Sequence, residues 1–173
     1  MSEFLYNLKI PKERVAILIG KKGKTKRELE KQTKTNIKID SKEGDITIKG
    51  DDALGLYAVR EVIKAVGRGF NPEIAKQLLK QDWICEYVGI PEFVKSRDQY
   101  RRLRSRIIGS EGKARKTIEK LTNTYLSVCG KTVAIIGQSD DVLRAKKAVE
   151  ALLRGAPHSH AYYNLEKTKK YKE

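Results

Sequence analysis

The chain is predicted to be an α+β protein built from two copies of one unit, ordered β-α-α-β-β-α. Three observations predict it. A glycine-framed loop, Ile19-Gly20-Lys21-Lys22-Gly23-Lys24, returns 89 positions later as Ile108-Gly109-Ser110-Glu111-Gly112-Lys113. The residues behind the loop repeat as well: Lys26 and Arg27 correspond to Arg115 and Lys116, and Leu29-Glu30-Lys31 to Ile118-Glu119-Lys120. Thr33 and Thr35 likewise match Thr122 and Thr124, and Ile37 and Ile39 match Leu126 and Val128. The offset then falls to 87, so that Ile46, Ile48 and Gly50 match Val133, Ile135 and Gly137 after a turn two residues shorter. Third, apolar residues run through the same sequence of strand-like and helix-like spacing in both copies. Self-similarity of this kind fixes the architecture as a duplicated unit.

Each element has a local reason. Phe4, Tyr6, Leu8 and Ile10 alternate as in a strand, which Pro11 stops. Lys12–Ile19 is expected to be a short helix with Val15, Leu18 and Ile19 on one side. After the loop a second helix runs to about Gln32. Asn36–Asp40 and Ile46–Lys49 are expected strands around a turn at 41–45. Asp51 or Asp52 can cap a long helix, whose Leu54, Ala58, Val62 and Val66 follow an i, i+4 stripe ending at Gly67 and Gly69. In the second copy Trp83–Ile90 is the first strand, stopped by Pro91. Residues 104–108 precede the loop, and a helix follows from Gly112 to Leu121. Tyr125–Val128 and Thr132–Ile136 are strands. Ser139 or Asp140 is expected to cap the last helix, with Val142, Ala145 and Val149 inward.

Three segments lie outside the repeat. Asn71-Pro72-Glu73 reads as a helix start, with a capping side chain, a proline at the first helical position and an acid near the positive dipole end. That helix, with Ile74 and Leu78 apolar, is expected to bridge the copies over 71–82. Pro91 to Gly109 spans 18 positions where Pro11 to Gly20 spans 9, so the second copy carries a basic helical insertion that includes Lys95, Arg97, Arg101 and Arg102. The stretch 157–173 is an extension, expected to fray from about Lys167. The copies themselves occupy 1–70 and 83–156.

Composition narrows the function. The formal net charge is +15, from 37 Lys+Arg against 22 Asp+Glu, which calls for an anionic partner such as nucleic acid. No apolar run reaches the ~20 residues a membrane span needs, and no signal-peptide pattern is visible, so a cytoplasmic protein with no membrane partner is expected. Cys85 and Cys129 form no Cys-x-x-Cys pair and read as small apolar residues. His158 and His160 have no further ligands around them, so no metal site and no cofactor are expected. Gly23-Lys24-Thr25 and Gly130-Lys131-Thr132 end like a P-loop. That motif needs a glycine five residues before its Gly-Lys, and Leu18 and Tyr125 stand there instead. With two histidines and no nucleophile–base constellation, an enzyme is not expected.

A unit with Gly-x-x-Gly between its first two helices resembles the KH domain. The strand and helix that follow the core make it similar to the eukaryotic-type (type I) arrangement. The resemblance implies two tandem type I KH domains, each a three-stranded antiparallel sheet packed against three helices. The pair, with Gly155-Ala156-Pro157 followed by Tyr162, resembles archaeal relatives of the partner-of-NOB (PNO/KRR-type) ribosome-assembly factors.

In KH domains the Gly-x-x-Gly loop clamps the backbone of about four unpaired nucleotides. Glycine lets the backbone approach phosphate, and the helix N-terminus favours an anion there. The candidate site in copy one is therefore Ile19, Gly20, Lys21, Lys22, Gly23, Lys24, Lys26 and Arg27, over an apolar floor of Ile17, Ile19, Ile37 and Ile39. In copy two it is Ile108, Gly109, Ser110, Glu111, Gly112, Lys113, Arg115 and Lys116, with Ile107, Leu126 and Val128 as floor. Glu111 places an acid where KH loops usually carry a cation. Both copies are expected to bind RNA, the second relying on Arg101, Arg102, Arg104 and Arg106. The low aromatic content, 7%, argues against an aromatic stacking platform.

The subfamily resemblance implies a monomeric, non-catalytic protein on the 3′ end of small-subunit ribosomal RNA or its precursor. It implies as partners a NOB-type endonuclease and the alpha subunit of translation initiation factor 2. A protein-interaction adaptor, in which one copy docks a protein instead of RNA, is the alternative that Ser110-Glu111 favours. A subunit of an exosome-like cap would usually need an additional β-barrel, for which the chain has no room.

Overall fold

The computed structural model describes residues 3–169. The chain divides into two compact units between Gln81 and Asp82.

The first unit runs β1 (Phe4–Lys9), α1 (Lys12–Ile19), α2 (Lys24–Thr33), β2 (Thr35–Asp40), β3 (Asp45–Gly50), α3 (Ala53–Gly67) and α4 (Pro72–Ala75), the last continuing as a 3-10 turn to Leu79. The sheet is antiparallel with order β1-β3-β2. Leu8 and Ile39 flank Ile46, and Tyr6 and Ile37 flank Ile48. This register gathers the apolar members on one face, where they meet Leu18, Leu29, Val59, Val62, Ile63 and Val66 in the core. Asp52 caps α3 by accepting from the Leu54 and Gly55 N–H groups. Leu54, expected on the inward stripe, is instead 80% exposed. Leu54 lines an open hollow with Thr33 and Lys76, and the buried face of α3 begins at Val59. The segment after Asn71, expected to bridge the copies, packs on α3 within the first unit.

The second unit repeats the plan with β4 (Trp83–Gly89), α5 (Arg97–Ile108), α6 (Lys113–Thr122), β5 (Tyr125–Cys129), β6 (Thr132–Gln138) and α7 (Ser139–Leu153). Its sheet is antiparallel, order β4-β6-β5. The basic insertion lengthens the first helix, α5 having 12 residues where α1 has 8. It places the rest, Lys95 included, in a 3-10 turn at Ile90–Phe93 and the loop up to Ser96, which caps α5 by accepting from the Gln99 N–H. Neither Ser139 nor Asp140 caps α7. The cap position is Gln138, without a side-chain bond, and Asp140 and Asp141 sit in the first turn, where their charge favours the helix dipole. Cys85 and Cys129 are half-buried, and no disulfide joins them.

The extension after residue 156 is more ordered than its composition suggested. His158–Lys169 form α8, which buries Ala161 and Leu165 in the same core as Val149 and Leu152. The second unit thus gains a fourth helix, packed on α6 and α7. Lys167–Lys169 are helical, and the rest of the expected frayed tail lies outside the described residues.

The repeated threonines account for a matched joint. Thr33 and Thr35 hydroxyls lie 2.8 Å apart, as do those of Thr122 and Thr124, and Thr33 and Thr122 also donate to the carbonyls of Leu29 and Ile118. Between each pair the chain turns through one left-handed residue, Lys34 or Asn123. Four buried hydroxyls satisfied in this way fix the angle at which the edge strand leaves the helix.

Candidate nucleic-acid interface

The two loops superpose in backbone terms. Gly20 has φ 76° and ψ 174°, and Gly109 has φ 73° and ψ 172°, a region open essentially to glycine. A Cβ on Gly20 would fall 2.3 Å from Thr25 Oγ1, and one on Gly109 would fall 2.6 Å from the Ala114 nitrogen. The second glycine of each loop, φ 73°, is required by conformation alone, since nothing crowds Gly23. Between the glycines, Lys22 (φ 53°) and Glu111 (φ 55°) are left-handed without being glycine, at a cost of about 1 kcal/mol or more each. Bonds from the Gly23 N–H to the Gly20 carbonyl (3.1 Å) and from Gly112 to Gly109 (3.2 Å) hold the turn. In copy one Arg27 donates to the Lys22 carbonyl at 2.8 Å and braces the strained residue.

The loop delivers the chain straight into a helix whose cap residue, Gly23 or Gly112, offers no side chain to the first N–H groups. The Lys24 and Lys113 N–H groups bond back to the Lys21 and Ser110 carbonyls, and the donors of the turn after them are those a helix start presents to solvent or an anion. Lys21, Lys22 and Lys24 are exposed around the first loop, and Lys113 and Lys116 around the second, with Ser110 and Glu111 exposed at its tip.

β2 and β5 are each terminal in their sheets, and each is tied to the helix that follows the loop. Glu30 accepts the Ile37 N–H at 2.8 Å, and Glu119 accepts the Leu126 N–H at 2.8 Å. Lys26 lies 3.1 Å from Glu30, and Arg115 lies 3.8 Å from Glu119 while donating to the Leu126 carbonyl at 3.3 Å. Lys26 and Arg115, expected to face phosphate, are therefore half-buried parts of a helix-to-strand tie. The matched acids Glu30 and Glu119 were visible in the repeat, as carboxylates kept within basic helices.

Burial corrects the expected floor. Ile37 (1%), Leu126 (2%) and Ile107 (0%) are core residues that strand and helix periodicity turn toward the sheet–helix interior, so their side chains cannot meet a base. Ile19, Ile39, Ile108 and Val128 are half-buried and Ile17 is 36% exposed, which leaves these as the apolar surface beside the loops. Arg106 is engaged within the fold. Its guanidinium donates to the carbonyls of Leu152 (3.0 Å) and Ala156 (2.5 Å), closing the end of α7. Arg14 does the same for Val66 (2.8 Å) and Phe70 (2.7 Å) in the first unit. Arg101 and Arg102 are exposed on α5, and Arg104 is half-buried.

One polar cluster flanks α2. Lys76 reaches back to Glu28, which also lies 3.8 Å from Lys24. The Lys76 hydrogen bond holds the Glu28 carboxyl below the usual carboxylate range. Burial pushes the Lys76 ammonium down, but its bonds to Glu28 and Glu73 outweigh that and raise it. Among the described residues no group of three or more His, Cys, Asp and Glu side chains could hold a metal, and no helix is long and apolar enough to cross a membrane. His158 contacts the Arg106 carbonyl and His160 contacts Asn164.

Comparison with known proteins agrees with this geometry. Residues 84–170 match the model of the second KH domain of PNO1 proteins, described as a eukaryotic-type (type I) KH domain, and residues 6–65 match the general KH domain. A KH domain-containing protein of Methanocaldococcus jannaschii is 46% identical over 164 residues, covering 92% of this chain and 72% of that protein. A chain in the crystal structure of the a/eIF2alpha-aDim2p-rRNA complex from Pyrococcus horikoshii is similar with a TM-score of 0.90 and 43% identity, covering 98% of this chain and 96% of that one. Dim2p from the same organism, crystallised separately, gives a TM-score of 0.87 at 43% identity, covering 95% of this chain and 99% of that one.

Proposed function

The chain belongs to the KH family, with a second domain of the PNO1 type, and from that premise we propose that it binds single-stranded RNA at the 3′ end of small-subunit ribosomal RNA or its precursor. The observation that carries the reading is the duplicated loop, in which a strained residue between two obligatory glycines leads into an uncapped helix N-terminus. Such a surface takes a phosphate backbone without a side-chain gate. The surface beside it is partly apolar, with Ile19, Ile39, Ile108 and Val128 half-buried, which suits unpaired bases. The relative from Pyrococcus horikoshii found with ribosomal RNA and a/eIF2alpha supports the choice of RNA and makes that initiation-factor subunit the first protein partner to test. A NOB-type endonuclease is the second. The proposed role is non-catalytic: the protein holds the RNA end while a partner acts on it.

The test is fluorescence anisotropy with a single-stranded RNA copied from that 3′ end, against a scrambled RNA. Lys21→Asp/Lys22→Asp and Ser110→Asp report on the two loops separately. Weaker binding in either loop variant, with poor binding of the scrambled RNA, is the expected result. Equal binding of both RNAs by all three proteins overturns the reading. A second reading, an adaptor in which copy two docks protein, is favoured by Glu111 at the exposed loop tip. It predicts that Ser110→Asp leaves RNA affinity unchanged while a/eIF2alpha capture survives nuclease treatment.

A further inference from the structure

We propose that the second unit holds an additional nucleotide of the same RNA strand in the open pocket between α5, α6 and α8, next to its glycine loop. The inference rests on the RNA-binding reading above. Gly109 and Ser110 belong both to the loop and to the pocket wall, so a strand clamped by the loop passes directly into it. Arg102 from α5 and Lys113 from α6 stand at the pocket, and His158 and Tyr162 from α8 form its far side. None of the residues around it is acidic.

Comparison of the two copies shows how that charge arises. Arg102 occupies the position of Glu13, and Thr117 that of Glu28. In the first unit Glu28 neutralises Lys24 at 3.8 Å and binds Lys76 from the segment after α4. In the second unit Thr117 donates to the Lys113 carbonyl at 2.8 Å and lines the pocket with Tyr162. Lys113, the counterpart of Lys24, makes no ion pair among the described residues, the loop acid Glu111 lining the neighbouring hollow instead. One acid has become neutral and another has become an arginine. Two unpaired cations face the same space, the arrangement that a phosphodiester recognises. The rings of Tyr162 and His158, with centroids 6.0 Å apart, supply an apolar side suited to a base. The ligand class is thus a nucleoside phosphate continuous with the clamped strand, and α8 is the element that makes the pocket peculiar to the second unit.

The experiment uses the full chain carrying Lys21→Asp/Lys22→Asp, so that the second unit dominates, with oligoribonucleotides of about four and about eight nucleotides. Arg102→Ala/Lys113→Ala and, separately, Tyr162→Leu are compared with the parent, each checked for an unchanged melting temperature. Tyr162→Leu is expected to weaken the longer RNA about tenfold while shifting the shorter one little. Arg102→Ala/Lys113→Ala, which also removes a cation at the loop, is expected to weaken both lengths and the longer one more. Equal loss on both lengths from each variant, or none on either, overturns the pocket while Ser110→Asp still reports on the loop. Absence of binding by the parent chain as well as by unmutated protein overturns the RNA reading and the pocket together.

Discussion

Gly20 and Gly23 carry different requirements although they frame the same loop. Gly20 lacks both a permitted backbone region and room, since its Cβ would meet Thr25 at 2.3 Å. Gly23 lacks only the region, since its surroundings are open. Gly20→Ala is expected to destabilise the first unit by at least about 2 kcal/mol, and Gly23→Ala by about 1 kcal/mol. Denaturant titration separates the two, and equal losses would show that the clash is relieved elsewhere. At the α2 flank, Glu28 is held below its ordinary value by the Lys76 hydrogen bond, so its contribution is present above the ordinary carboxylate range and lost as pH falls through the lowered value. Lys76 is raised, so its contribution is complete below the ordinary lysine value and lost as pH rises through the raised one. The expected record is a melting temperature flat between these limits, with the acid-side slope reduced in Glu28→Gln.

At the scale of elements, α8 is the informative case. Arg144 pins it by donating to the Leu165 carbonyl (3.0 Å) and the Thr168 hydroxyl (3.1 Å), while pairing with Asp141 at 3.2 Å. Leu165→Ala is expected to cost about 2–5 kcal/mol, read as a lower unfolding midpoint of the second unit with the first unchanged. The helix escaped the sequence because Ala161 and Leu165 are its only fully buried residues and Tyr163 is 61% exposed, so no apolar stripe announces it. The loops were legible for the opposite reason: glycine at a fixed spacing states a backbone requirement that no tertiary context can alter. The floor was half legible. Ile37 and Ile39 share a strand face, and alternation cannot tell the central, covered residue from the one near the strand end. The internal partners of Arg106 were not legible, because charge alone does not reveal a carbonyl far along the chain.

For the whole molecule, the excess charge is shared. The first unit has 18 Lys+Arg against 11 Asp+Glu, and the second 19 against 11. Neither copy is the obvious passenger. If each loop grips about four nucleotides, log affinity should fall against log salt with a slope of about −3 per engaged unit. The wild-type slope is expected to be about twice that of Lys21→Asp/Lys22→Asp. Identical slopes would assign all the phosphate contacts to the second unit. The tie between helix and edge strand has a consequence of another kind. A terminal strand with open N–H groups is a template on which a further strand can add, and this polypeptide carries two sheets of the same pattern. The Glu30 and Glu119 carboxylates already occupy the Ile37 and Leu126 donors on those borders. Each therefore closes one donor against a strand adding edge to edge, and a chain stripped of both would be the one to watch for fibres on storage.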